Sequence, residues 1–417
     1  MKILCISNGH GEDGIALQIL RSLRQAEANV VTYALPIVGK GDAYQRSGIP
    51  LVGPTKILAS GGFLYMDSQQ LVRDLKSGLV GLTLGQLRAI RSWVKSERGC
   101  VLAVGDIVPL LFAWWSGVPY AFVGTAKSEY YLRDESGPLA RPTWQGKQES
   151  AAASVYLPWE RWLMARRRCR GVFPRDRLTT ERLHRWRIPA FNLGNPMMDD
   201  LQPRVRLQWE HSDAAATLTV ALLPGSRPPE VYHNWQVMLE TCHAWAKTDK
   251  PVSFLAAIAP SVATETLESA LLQQGWQRAK TSLENPHRAG PYPTYALGKL
   301  KLALVSDAYP ACLHQADLGV AMAGTATEQL VGLGKPVVTL PGRGPQFTPA
   351  FAEAQTRLLG CSILHQSDPA QVPRVVQQLM GDRPHLEQIQ ANGIRRMGPP
   401  GAADRIAQKL LEVFQQI

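Results

Sequence analysis

Short apolar runs of β type alternate along this chain with segments whose apolar residues recur at helical spacing, the pattern of a parallel sheet covered by helices. In the first half the runs are Ile3–Ile6, Val30–Ala34, Val101–Val104, Tyr120–Val123, Gly171–Phe173 and Phe191–Leu193. A second series starts at Thr217–Leu223 and continues with Val252–Ile258, Leu302–Val305, Leu318–Met322 and Val337–Leu340. Each half thus predicts its own sheet, with the join at Gly194-Asn195-Pro196, where a strand runs into a turn. The expected domains are residues 1–196 and 197–398. Beyond the breaker Gly398-Pro399-Pro400-Gly401, the residues Ala403, Ile406, Ala407, Leu410, Leu411 and Phe414 make one apolar helical face. That helix, within 399–417, is expected to pack back across the domains, and either half could receive it. Between Ile57 and Ile90 apolar residues are mixed with five glycines, too many breaks for one long helix, so this part reads as a mobile, partly exposed insertion.

Composition narrows the class. The 417 residues are 45% hydrophobic and 19% charged, enough core material to exclude disorder for most of the chain. Six cysteines, far apart and without a C-x-x-C, point to buried thiols in a reducing compartment and away from a disulfide frame or zinc site. No leader is visible after Met1-Lys2, and the most apolar stretch, Val101–Val123, is interrupted by Asp106, Pro109, Gly117 and Pro119. The expectation is a soluble, cytoplasmic, basic protein of formal charge +11.

Three motifs could carry chemistry. The first, Ser7-Asn8-Gly9-His10-Gly11-Glu12-Asp13-Gly14, sits between the first strand and the helical run Ala16–Leu23, where Gly9, Gly11 and Gly14 satisfy G-x-G-x-x-G. A dinucleotide site also needs a carboxylate at the end of the second strand, and Tyr33-Ala34-Leu35-Pro36 supplies none before Asp42. Glu12 and Asp13 would repel a pyrophosphate besides. A tight structural turn is one reading; the favoured one is an active-site loop presenting His10, Glu12 and Asp13.

The second motif, Leu222-Leu223-Pro224-Gly225-Ser226-Arg227, precedes a helix with Val231, Trp235, Met238, Cys242 and Trp245 on one face. Gly225 and Ser226 allow backbone and hydroxyl donors to approach an anion, and Arg227 brings a guanidinium fork suited to phosphate. The third is Ala323-Gly324-Thr325-Ala326-Thr327-Glu328. Thr325 and Glu328 fit a capping box. Alternatively, Gly324 and Thr325 donate to a phosphate while Glu328 accepts from both hydroxyls of a ribose. Both loops are expected at carboxyl ends of strands, where open α/β sheets bind ligands.

With Glu230 three residues after Arg227, with G-K-P after the third motif and GNPMMD at the junction, the chain resembles lipid-A-disaccharide synthase. SNGHGED and LPGRGPQFTPAFAEAQTRLLG are closer to the lipid-A-disaccharide-synthase-related proteins typical of cyanobacteria. The resemblance covers nearly the whole chain and is strongest from Leu218 to Gly360. It implies a GT-B glycosyltransferase of α/β class: two Rossmann-like halves facing a cleft, a UDP-sugar on the C-terminal half, an acceptor on the N-terminal half, and no required metal or other cofactor. It places Gly225, Ser226 and Arg227 at the diphosphate, Glu328 at the uridine ribose and Val305 at the uracil. Glu230, Gly324, Thr325, Ala326, Thr327 and Gln346 complete the donor set, and Gly9, Gly11 and Glu12 form the acceptor loop. The family's catalytic aspartate follows an N-terminal-half strand in a G-I-D-A-P context; the nearest text here is Gly105-Asp106-Ile107-Val108-Pro109, one residue shorter. Asp106 and His10 are the candidate bases, with Asp13 beside them. An epimerase acting on UDP-N-acetylglucosamine and a catalytically silent nucleotide-sugar-binding protein are the alternative readings.

Arg161–Arg187 holds ten arginines against Asp176 and Glu181, with Trp159 and Trp162 at its start. A solvated helix face is the bland reading. No RNA or DNA motif accompanies the charge, so nucleic acid is not an expected partner. An anionic membrane surface is, and a lipid or lipid-linked acceptor would make it useful. Asp199-Asp200 is expected at a helix start, where acids suit the dipole, and not as a metal ligand pair.

Overall fold

The computed structural model describes residues 1–9, 11–56, 79–139, 154–209, 217–248, 250–342 and 347–415. Two compact units account for the chain: Met1–Asp199 together with Pro399–Ile417, and Asp200–Gly398.

The first unit is built on β1 (Lys2–Ser7), α1 (Gly11–Ala26), β2 (Val31–Pro36), α2 (Asp42–Arg46), α3 (Leu79–Glu97), β3 (Cys100–Gly105), α4 (Ile107–Trp115), β4 (Tyr120–Gly124), α5 (Pro158–Met164), β5 (Cys169–Pro174) and α6 (Arg177–His184). The strands pair in parallel in the order β2-β1-β3-β4-β5. Period two divides their side chains between two cores. Leu4, Ile6, Val101 and Ala103 enter one; Ile3, Cys5, Leu102 and Val104 enter the other. Burial on both faces is why these strands read as continuous apolar runs. The second core also receives α14 (Ala402–Gln415) through Ile406, Ala407, Leu410 and Phe414. The C-terminal helix therefore belongs to the first unit.

The second unit contains β6 (Leu218–Leu223), α7 (Glu230–Ala246), β7 (Val252–Ala257), α8 (Thr264–Gln273), β8 (Gln277–Arg278), β9 (Thr294–Leu297), β10 (Leu300–Val305) and α9 (Tyr309–Gln315). It continues with β11 (Leu318–Ala321), α10 (Thr325–Gly332), β12 (Val337–Thr339), α11 (Pro349–Leu359), β13 (Ile363–His365), α12 (Val372–Gly381) and α13 (Arg383–Met397). Its sheet runs β8-β9-β10-β7-β6-β11-β12-β13, parallel except at β8 and β9. The core side of α7 carries Val231, Trp235, Met238, Cys242 and Trp245, all buried as their spacing predicts.

Three sequence expectations change. Phe191–Leu193 is not a strand: only Ala190 bridges Val172, and the chain then turns into the short 3₁₀ segment Pro196–Met198. Of the expected insertion, 57–78 lies outside the described residues, while Leu79–Ile90 is helical despite Gly81 and Gly85. Gly85 has a packing reason, since a Cβ there would lie 3.0 Å from the Pro54 ring. The buried Gln86 amide fastens the same turn, donating to the carbonyls of Ile37 (2.9 Å) and Pro54 (3.2 Å). Asp199, in turn, starts no helix of its own. Its carboxylate reaches across 202 residues of sequence to accept from the Gly401 N–H (2.6 Å), and also from Ala402 (3.1 Å) and Ala403 (2.7 Å). It caps α14 from a distance, satisfying amides that a helix start leaves without partners. All six cysteines are free thiols.

Candidate functional site

In each sheet the first strand lies between neighbours reached in opposite directions, which makes a switch point where the following loops part. The sequence motifs fall at these places. In the first unit the switch point lies between β1 and β3, with Asn8-Gly9 and Gly105-Asp106 at their carboxyl ends.

Close packing fixes the first loop. A Cβ on Gly9, whose φ is 114°, would lie 2.3 Å from the Val38 carbonyl oxygen. Gly105 (φ 133°) has no room either, because a Cβ would sit 2.6 Å from Asn8 Oδ1. Asp13 is turned inward and 6% exposed, accepting from Ser7 Oγ at 2.6 Å. The Tyr44 hydroxyl lies 2.7 Å from Ser7 Oγ and brings its own proton to the Ser7–Asp13 network. Burial pushes the Tyr44 phenol well above its ordinary pKa, so it keeps that proton. Asp13 thus anchors the start of α1, a structural engagement that distinguishes it from Glu12, the other carboxylate of the loop.

Asp106 is the N-cap of α4, its Oδ1 accepting from the Val108 N–H at 2.9 Å. Glu12 is near enough to feel it. Burial raises the Glu12 pKa, the Asp106 and Asp13 charges raise it further, and its own backbone N–H and the Thr125 hydroxyl oppose the shift. Thr125 follows β4, and its carbonyl is held by Arg175 Nη1 at 3.2 Å. The structure therefore gathers Glu12, Asp106 and Thr125 at the ends of three adjacent strands. His10 lies outside the described residues.

The second unit's switch point separates β6 from β11, and both anion-friendly loops leave it there. Asn234 joins them: its amide donates to the Pro224 carbonyl (3.0 Å) and to the Met322 carbonyl (3.2 Å). Gly225 adopts φ 103°, a left-handed conformation that favours glycine. Ser226 and Arg227 are exposed beyond it, and Ser261 Oγ donates to the Ser226 carbonyl at 2.7 Å. Glu230 points the other way. It is 7% exposed and accepts from the Phe347 N–H at 2.7 Å, bracing the segment that returns after β12.

The expected capping box at Thr325 and Glu328 does not form. Gly324 is the N-cap and Thr325 the first helical residue, so the cap has no side chain to satisfy the amides of the first turn. Thr327 Oγ1 and Gln355 Nε2 both donate to the Ala323 carbonyl, at 2.6 and 3.1 Å, which orients the turn from behind. Ala326 and Glu328 are partly exposed on α10, and Thr325 is exposed. Val305 is buried at the end of β10, its carbonyl accepting from the Ile258 N–H at 2.8 Å. Gln346 lies outside the described residues. Sequence reading missed Asn234 and Gln355, although a polar residue on the apolar face of α7 was a signal.

No protein-family model matches the chain, and no curated protein matches it in sequence. Solved structures do match in shape. MurG of Acinetobacter baumannii is 14% identical, with TM-score 0.56 over 100% of this chain and 99% of that one. CalG4, the calicheamicin glycosyltransferase, is 14% identical, with TM-score 0.60 over 100% and 98%. The UDP-GlcNAc 2-epimerase of Neisseria meningitidis, solved with UDP-GlcNAc, is 12% identical, with TM-score 0.52 over 99% and 100%. The chain has the GT-B fold, with two Rossmann-like α/β domains.

Proposed function

We propose that this protein is a glycosyltransferase, related to lipid-A-disaccharide synthase, that moves a sugar from a UDP donor to a hydroxyl of a lipid or lipid-linked acceptor at the cytoplasmic face of a membrane. The observation that carries the reading is the pair of loops Gly225–Arg227 and Gly324–Thr325 at one switch point, clamped together by Asn234. A helix N-terminus whose cap has no side chain, beside an exposed guanidinium, is chemistry for a diphosphate. Glu328, in the first turn of the same helix, is the residue to accept from ribose hydroxyls. That glycosyltransferases and a UDP-GlcNAc-bound epimerase share this fold supports the donor class.

In this reading the second unit binds the donor. Arg227 and the α10 amides stabilise the departing UDP diphosphate, the role a metal ion plays elsewhere. The first unit supplies the base: Asp106 or His10 takes the proton of the acceptor hydroxyl as that oxygen attacks the anomeric carbon. A second reading, epimerisation of a UDP-sugar, draws on the same donor loops and on the grouping of Glu12 with Asp106, since paired carboxylates suit proton transfer at carbon as well.

A thermal-shift screen of UDP-sugars, followed by radiolabelled transfer into a total lipid extract, decides between them. The transferase releases UDP only when acceptor is present and labels a lipid, and chelation by EDTA leaves its rate unchanged. UDP-sugar turnover without acceptor establishes the epimerase. UDP affinity with no turnover in either assay leaves a nucleotide-sugar-binding protein.

A further inference from the structure

Among the described residues of the second unit, the exposed large apolar side chains are Leu272 on α8, Ile394 on α13 and Phe351 on α11. A single exposed apolar residue needs no explanation by itself, but Phe351 stands beside a donor loop. A Cβ built on Gly324, the cap of α10, would lie 3.6 Å from Phe351 Cζ, ordinary van der Waals contact. Phe351 is 37% exposed, so the tip of its ring touches the turn while much of the residue stays open to solvent. Its position is held from several sides. Thr348 Oγ caps α11 by accepting from the Phe351 N–H at 3.1 Å, which fixes the backbone at the root of the ring. Phe347 packs against the ring, centroids 5.5 Å apart and planes tilted by 59°, and is itself a core residue, 3% exposed. The Phe347 N–H is in turn held by the buried Glu230 carboxylate. One helical turn on from Phe351, the Gln355 amide donates to the Ala323 carbonyl, so the same face of α11 grips the loop that the ring touches.

The strand order gives this place a meaning. Along the sheet, β10-β7-β6-β11-β12 puts the carboxyl end of β10 on one side of the switch point and the connection from β12 to α11 on the other. In the donor reading the uracil is expected at Val305 on β10 and the diphosphate at the loops after β6 and β11. The sugar is the group at the far end of the diphosphate, so it continues toward β12 and α11, where Phe351 stands. A phenyl ring offers a pyranose a flat apolar surface. Its negative π face attracts the polarised axial C–H groups of the sugar ring and repels a carboxylate. Because the ring is braced beforehand, little rotamer freedom is lost when the sugar arrives.

We propose that Phe351 is the platform on which the sugar of the UDP donor stacks, and that it selects neutral hexopyranoses over uronic acids. The proposal rests on the UDP-donor reading and deepens it by naming the class of sugar. Contacts to the diphosphate and the ribose cannot make that choice, since those groups are the same in every UDP-sugar. The platform serves transfer and epimerisation alike, because both reactions bind the sugar before any bond changes.

The test is titration calorimetry of the full chain with UDP, UDP-glucose, UDP-galactose, UDP-N-acetylglucosamine and UDP-glucuronate. Wild type should bind at least one neutral UDP-sugar more tightly than UDP-glucuronate. Phe351→Ala should leave the UDP Kd within about twofold, weaken the best neutral UDP-sugar about five- to tenfold and narrow its advantage over UDP-glucuronate. Phe351→Trp and Phe351→Tyr, which keep a π face, should hold the wild-type order. Phe351→Leu, which keeps apolar bulk without a π face, should behave as Phe351→Ala does. An unchanged UDP Kd in each variant also shows that the second unit is folded. Equal weakening of UDP and UDP-sugars overturns the proposal, because the ring then serves the nucleotide or the fold. So does a wild type that binds UDP-glucuronate as tightly as every neutral UDP-sugar. UDP binding with UDP-sugar affinity untouched by Phe351→Ala sinks the platform and leaves the donor reading. Absence of UDP binding sinks the donor reading, and the platform with it.

Discussion

At the scale of single residues, three carboxylates have different tasks. Glu328 closes no capping box, because Gly324 and not Thr325 is the cap. Glu328→Gln should therefore leave the melting temperature unchanged while UDP affinity, followed by calorimetry, falls by about 1.5–3 kcal/mol. Undiminished affinity would remove the ribose assignment. Asp106→Asn keeps the cap on α4, since Asn and Asp cap equally well. Its kcat should fall roughly 100- to 10,000-fold with UDP binding intact, and a loss below about threefold would pass the base to His10 or Glu12. Glu12 carries a pH signature. Its pKa is raised in the fold, so the unfolded chain loses this proton first as pH rises, and ionisation costs stability from about pH 4.3 upward until the folded carboxyl has also titrated. Glu12→Gln should melt higher than wild type at pH 8 and identically at pH 3.

At the scale of elements, the strands were readable because burial on both faces demands continuous apolar runs. The exceptions have local causes. Phe191–Leu193 is apolar because Phe191 packs against Phe173, ring centroids 6.0 Å apart, and not because it extends a sheet. Leu79–Glu97 stays helical through its glycines because Gly85 and Gln86 are engaged by the loop beneath. The Asp199 clasp on α14 could not be inferred from spacing, as its partners are at the other end of the chain. Asp199→Ala should cost about 2 kcal/mol in urea denaturation, the upper range for a cap, because three N–H groups lose their acceptor at once. A loss within about 0.5 kcal/mol would mean that water replaces the carboxylate there.

At the scale of the whole molecule, the chain leaves the first unit at Asp199, builds the second, and returns at Pro399 to finish the first. Deleting residues 402–417 should uncover Leu20, Leu23 and Phe173 along with the lost Ile406, Leu410 and Phe414. At about 1.5–3 kcal/mol per large apolar side chain, that exceeds the margin of most domains. Calorimetry should show the first unit's transition lost or strongly lowered and the second unit's retained; loss of both would mean that the units unfold as one. The sequence by itself determined the two series of parallel strands, the turn loops at their carboxyl ends and the amphipathic terminal helix, because periodicity and glycine demands are local properties of the chain. Only the tertiary structure decided which unit holds that helix, which of the loop acids faces inward, and that Asn234 clamps the loops after β6 and β11 together. Those depend on which surfaces the fold leaves in contact and which it leaves to solvent, and no residue carries that information alone.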